Sequence, residues 1–144
     1  MTMSIPVYKT NDILNLIPQR PPIFMVDGFS CEDEQNCHST LTITGDNIFL
    51  EENGRLAEEG ILEHIAQTAA AYVGLMRKQA GEDVNMGYIG DIKRCAVCGQ
   101  MPTAGETLIT HLTIMSQVGN ITLVSAETSV DGQTILSCRM KLAN

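Results

Sequence analysis

The sequence predicts an α+β fold in which an antiparallel β-sheet curls around one long central helix. Three observations carry this expectation. Residues 57–79 form one long helical stretch that is apolar nearly all round, so it must be buried on most sides. Two runs of strand character precede it and four follow it. One helix cannot cover both faces of such a sheet, so the economical arrangement is a sheet wrapped around it. The last three runs are joined by short turns, which makes them an antiparallel meander.

The elements follow in chain order. Residues 11–17 (NDILNLI) predict a short helical turn capped by Asn11 or Asp12. PQRPP at 18–22 blocks a helix and launches an extended segment. Residues 23–32 (IFMVDGFSCE) then read as a strand, and 37–44 (CHSTLTIT) as a second one, alternating and β-branched. Residues 45–56 form a loop with a short strand expected at 48–50. In the long helix, Glu58 and Glu59 suit the positive N-terminal end, Arg77 and Lys78 suit the negative end, and Gly81 stops it. Strands are expected at 86–97, 106–117, 121–130 and 133–142, with turns at Val118-Gly119-Asn120 and Asp131-Gly132. No repeat or linker interrupts the chain, and its 144 residues suit one domain spanning 1–144.

Composition excludes several function classes. Hydrophobic residues make up 44% of the chain, which argues against disorder, and aromatics only 4%, so the core is built from aliphatic side chains, Met and Ala. The formal charge of −8, with no basic block, disfavours nucleic acid as a partner. Arg77, Lys78, Lys93 and Arg94 are either ordinary solvated charges or a local patch for an acidic partner. No run is long and apolar enough to span a membrane, and the first residues lack a signal pattern, so a cytoplasmic location is expected. Cysteines 31, 37, 95, 98 and 138 are odd in number and read as free thiols. Cys95 and Cys98 fall in a strand, where side chains three apart face opposite ways, so no metal site and no cofactor are expected.

The start of the long helix, GILEHIAQ (60–67), carries the chemistry. At about 100° per residue, Glu59, Gly60, Glu63, Gln67, Ala70 and Gly74 fall on one narrow stripe of polar and very small residues. Three readings fit it. The stripe faces solvent, or it lines a tunnel or subunit interface without chemistry, or Glu63 is a working acid or base. In an apolar cleft the charged form of a carboxyl is disfavoured, which suits a proton donor near neutral pH. The Gly60 amide at the helix start could polarise a carbonyl, and small residues such as Ala70 and Gly74 leave room for a ligand. His64 is the neighbouring titratable candidate, but it lies about 100° round the helix from Glu63. His38 and His111 sit in strand patterns and read as structural or exposed.

These residues resemble a known family. LIPQRPPIFMVD (16–27) resembles the "LPHRYPFLLVD" opening of bacterial 3-hydroxyacyl-ACP dehydratases, and LEHIAQ (62–67) resembles their "LEAMAQ" helix motif. MGYIGDIKRCAVCGQMPTAGETL (86–108) is similar to their next strand, loop and "P-x-x-G-D/E-x-L" turn. The likeness covers residues 11–142 and looks closest to the dehydratase-like proteins of aryl-polyene and related polyketide pigment clusters. It implies a hotdog fold, a dimer paired edge to edge, and an acyl chain delivered on an acyl carrier protein or as a coenzyme A thioester. It also implies that Glu63 is the helix acid, with Gly60 matching the glycine near the helix start, and that a loop histidine works with the acid across the subunit boundary. The corresponding stretch here, GDNIFLEENGRLAEEG (45–60), contains no histidine. Three functional readings therefore stand. One is a hydro-lyase using Glu63, the Gly60 amide and, as bound-chain contacts, Gln67, Ala70 and Gly74. The second is an acyl thioesterase, which needs no loop histidine. The third is a non-catalytic subunit or the partner of a second hotdog protein, in a heterodimer rather than a homodimer.

Overall fold

The structure, a computed structural model, describes residues 6–83 and 88–143. Its elements are β1 (Tyr8–Lys9), α1 (Thr10–Ile13), β2 (Gly28–Cys31), β3 (Asn36–Thr42), α2 (Glu58–Gln79), β4 (Tyr88–Val97), β5 (Thr107–Val118), β6 (Ile121–Val130) and β7 (Gln133–Ala143). The strands form one sheet in the order β1-β2-β3-β5-β6-β7-β4, with every pairing antiparallel. The inner face is aliphatic. Cys37, Leu41, Leu108, Leu112, Val124, Ala126, Leu136 and Met140 are buried, together with Ile61, Ile65, Ala69 and Tyr72 of α2. The strict alternation of buried and open positions along β3 and β6 reflects the strand period of two.

The hairpin at Asp131-Gly132 has positive φ at both residues, 50° and 79°, the backbone that a two-residue turn between right-twisted strands requires. Gly81, at φ 73°, follows the C-cap Ala80 and ends α2 as its position suggests.

Four local expectations are corrected. The first helix begins at Thr10, with Lys9 as its cap; Asp12 instead accepts the Lys9 N–H at 3.2 Å, as an acidic residue in a first turn can. The strand expected at 23–32 is confined to Gly28–Cys31, because the backbone of 23–25 is bonded to α2 and not to a neighbouring strand. The strand expected at 48–50 is a single bridge between Leu50 and Leu56. Cys31 and Cys37 are not free: they are register partners across β2 and β3 and are joined as a disulfide. Cys95 and Cys98 are free and exposed, and Cys138 is free and buried. The predicted beginning of the fourth strand, at residues 86–87, lies outside the described residues.

No helix among the described residues is long and apolar enough to cross a membrane. β4 ends the sheet and pairs only with β7, and it is mostly open to solvent; Val97 at its end is 41% exposed.

Candidate active site

Glu63 stands in the second turn of α2 and is half-buried. Its Oε1 accepts a hydrogen bond from Gln67 Nε2 at 2.8 Å, the i,i+4 contact that helical spacing allows. Gln67 is completely buried, and its amide is spent on holding this arrangement. It donates from Nε2 to the Ile23 carbonyl at 2.8 Å, and its Oε1 accepts from the Met25 N–H at 2.6 Å. A buried amide left without partners would cost about 1–3 kcal/mol, so the three bonds explain how a polar side chain sits in this core.

His64 is also completely buried and faces a different set of groups. Its Nδ1–H donates to the Met25 carbonyl at 2.7 Å. That fixes Nε2 as an acceptor for the Ser39 hydroxyl, at 3.2 Å, and Ser39 in turn lies 2.7 Å from the Thr68 hydroxyl. Desolvation drives the His64 pKa down to about 4, with the Met25 carbonyl opposing it, so the ring is neutral at ordinary pH. His64 is therefore corrected from a catalytic candidate to a buried packing residue that ties α2 to β3 and to residue 25.

His38 and His111 are register partners on the outer face of the sheet, opposite in sense to buried Cys37 and Ser39. Their rings stack with centroids 4.6 Å apart; His38 also contacts Glu32, and His111 Nε2 lies 3.0 Å from Asn36 Oδ1. None of the three histidines of the chain is hydrogen-bonded to Glu63; within the protomer its partner is Gln67.

The stripe of small residues is also corrected. A Cβ on Gly74 would sit 2.0 Å from the Leu16 carbonyl oxygen, so this glycine admits the chain's own backbone and leaves no room for a ligand. A Cβ on Gly60 would sit 2.7 Å from Phe49, and the Gly60 N–H already donates to the Ala57 carbonyl at 2.9 Å, so it is not free to polarise a substrate. Of the predicted stripe, Gly60, Gln67 and Gly74 are buried, Glu59 is exposed, and Glu63 and Ala70 are half-buried. At about 100° per residue Glu63 and Ala70 lie within about 20° of one line along α2, so they share one partly open face. Among the described residues no cluster of three His, Cys, Asp or Glu could hold a metal ion.

The clamp formed by the backbone of residues 23–25 is the part of the site that the side-chain pattern did not show. Its only signal is PQRPP, which blocks a helix; the chain turns there, with the Ile23 and Phe24 N–H groups bonded to the Arg20 carbonyl, and leaves the Ile23 carbonyl and both Met25 backbone groups for α2.

The family model described as ApeP-like, ApeP dehydratase, matches residues 11–144. The chain belongs to the ApeP-like dehydratase family. Among curated proteins, this ApeP-like chain is 27% identical over 144 residues to the 3-hydroxyacyl-[acyl-carrier-protein] dehydratase FabZ of Staphylococcus carnosus (strain TM300), covering 95% of each. It is 26% identical to FabZ of Staphylococcus aureus (strain JH9), covering 95% of this chain and 94% of that one. Among solved structures, the dehydratase heterocomplex ApeI:P from Xenorhabdus doucetiae matches with a TM-score of 0.84 at 19% identity, covering 92% of this chain and 90% of that chain. The E. coli PaaI protein of the phenylacetic acid degradation operon matches with a TM-score of 0.61 at 14% identity, covering 81% of each. The fold is the hotdog fold that the motifs implied.

Proposed function

We propose that this ApeP-like protein is one subunit of a hotdog dehydratase acting on a 3-hydroxyacyl chain carried as a thioester on an acyl carrier protein, and that it contributes the acid Glu63 to a site completed by a second hotdog subunit. The observation that carries the reading is the state of Glu63. It is half-buried and oriented by Gln67, yet no histidine of its own chain is bonded to it. A β-elimination needs two proton carriers, one to take the proton next to the thioester carbonyl and one to deliver a proton to the departing hydroxyl. In this reading the partner's base takes the first proton, Glu63 delivers the second, and a 2-enoyl thioester and water leave. The kinship with FabZ supports the substrate class, and the heterocomplex found for ApeI:P supports a non-identical partner. The open edge of β4 is where a second sheet would add. The cytoplasm is the compartment that this reading assigns.

The test is incubation with 3-hydroxyacyl-carrier substrates of several lengths, with and without a histidine-bearing hotdog subunit, following enoyl formation. Dehydration that requires both subunits and is lost in Glu63→Gln is expected. Full activity of the isolated chain, or no dehydration with any partner, overturns the reading. A thioesterase is the second reading, favoured by the same lack of a histidine, since a carboxylate can activate water at a thioester alone. Release of free acid in place of enoyl product in the same incubations selects it.

A further inference from the structure

Cys31 and Cys37 close the end of the β2–β3 hairpin, and the bond between them is approachable from one side. Cys37 is fully buried on the inner face, with Leu112 of β5 as its register partner. Cys31 is half-buried and borders a hollow of about 260 Å³ between the hairpin and the end of α2, lined also by Tyr8, Asp33, Glu34, Leu75 and Gln79. The bond spans a sequence separation of only 6. The turn it closes is already tied without it. Asp33 Oδ1 accepts the Gln35 and Asn36 N–H groups at 2.8 Å each, and the Glu32 N–H donates to the Asn36 carbonyl at 2.9 Å. A cross-link over so short a loop removes little freedom from the unfolded chain, so as a structural staple it is nearly redundant. What adjoins it matters more. β2 follows closely on residues 23–25, whose backbone holds Gln67 and His64. Ser39, two positions from Cys37 on the same inner face, lies within hydrogen-bond distance of His64 and Thr68.

We propose that Cys31–Cys37 is a reversible thiol–disulfide exchange site, entered from this hollow by a dithiol, and that opening the bond slackens residues 23–31 over α2. A thiolate of the dithiol attacks the Cys31 sulfur. The sulfur–sulfur bond breaks, and Cys37 leaves as a thiolate and takes a proton from water. The second thiol of the reductant gives up its proton and attacks the mixed disulfide, and Cys31 leaves and is protonated in turn. Two cysteine thiols form and the dithiol becomes a disulfide; closure is the reverse reaction with an oxidised dithiol. Asp33 and Glu34 at the hollow repel an anionic monothiol such as glutathione, which favours an uncharged dithiol or a protein dithiol as the reductant. Two thiols in contact need more room than two bonded sulfurs. Cys37 is walled in by the core, so the movement falls on Cys31 and β2, whose other neighbour is only the two-residue β1. In the cytoplasm, the compartment assigned above, disulfides are mostly transient and redox-sensing; the exchange chemistry itself does not depend on that assignment.

The test equilibrates the full chain in mixtures of reduced and oxidised dithiothreitol, blocks free thiols with iodoacetamide and maps the label by mass spectrometry. Mapping separates the pair from Cys95 and Cys98, which are free and exposed. The expected result is that Cys31 and Cys37 gain label together as the mixture becomes reducing and lose it together on return to oxidised dithiothreitol, with the circular dichroism of the folded chain retained. A thioredoxin-type protein lacking its second cysteine is expected to be captured on Cys31. In hydrogen exchange, reduction is expected to speed the Met25 amide at least tenfold and to leave the β5–β6 ladder unchanged. The variant Cys31→Ala/Cys37→Ala is expected to show the fast Met25 rate in both redox conditions. A bond that stays closed at high dithiothreitol until urea unfolds the chain overturns the proposal in favour of a structural cross-link. Cysteines that remain labelled in oxidised dithiothreitol overturn it outright. Capture on Cys37 overturns the assignment of the attacked sulfur, and a Met25 amide unchanged by reduction overturns the link to residues 23–31.

Discussion

Glu63 and His64 are neighbours in sequence with opposite fates, and the difference is burial. Glu63 keeps an open side and one oriented oxygen; His64 has none. Glu63→Gln is expected to lower turnover of the assembled dehydratase by about 10²–10⁴ while leaving the thermal midpoint nearly unchanged, read by enoyl formation and calorimetry. His64 makes a stability prediction. Its folded pKa of about 4 lies below the ordinary 6.5, so between these values the unfolded chain binds the extra proton. Stability from this group is complete above about pH 6.5 and falls as the pH drops toward 4. Going from pH 7 to pH 5 is expected to cost about 2 kcal/mol in denaturant titrations. The variant His64→Gln is expected to lose most of that pH dependence, and an unchanged slope would refute the assignment. The identity of Glu63 as the residue to watch was legible from GILEHIAQ. The exclusion of His64 was only half legible: helical geometry turned it off the stripe, but the Met25 carbonyl and Ser39 that engage it come from 39 and 25 residues away in the chain.

Among the elements, α2 was the most legible, because a helix apolar nearly all round, with an acidic start and a basic end, has to lie inside a fold. Residues 57–79 were expected and Glu58–Gln79 is found. The segment before β2 was the least legible. Its alternation resembles a strand, but Gln67 and His64 take its backbone groups in place of a neighbouring strand. The close approach of the chain just before this segment gives Gly74 its role. Gly74→Ala would drive a methyl into the Leu16 carbonyl, a backbone atom that cannot rotate away. A loss of about 3 kcal/mol or more is expected in urea titrations. Gly90→Ala in β4, whose added Cβ would meet nothing nearer than 3.6 Å, is expected to stay within about 1 kcal/mol of wild type in the same titrations. At the Asp131-Gly132 turn the positive φ of Gly132 makes Gly132→Ala cost about 1–2 kcal/mol, measured in the same way.

At the scale of the whole molecule, one protomer presents a candidate acid, Glu63, to which no histidine is hydrogen-bonded, and a sheet whose last strand, β4, pairs on one side among the described residues. Both features point outward to another subunit. Mixing the chain with a histidine-bearing hotdog protein is expected to give a one-to-one complex by native mass spectrometry and to produce dehydration that neither chain shows alone. Membership of the ApeP-like family sets the chemistry expected of that complex.

By itself the sequence determined the long helix, the strand order along the chain, the meander turns, Glu63 as the candidate acid and the lack of a histidine in residues 45–60, because each depends on local periodicity, turn chemistry or residue identity. Tertiary structure alone decided what the small residues are for. Gly60 and Gly74 accommodate Phe49 and Leu16 of the same chain, and Gln67 serves Glu63 and the backbone of residues 23 and 25. It also decided that Cys31 and Cys37 are bonded, since sheet register sets them opposite each other. Spacing along one helix says which side chains share a face; only the packed chain says what lies against that face.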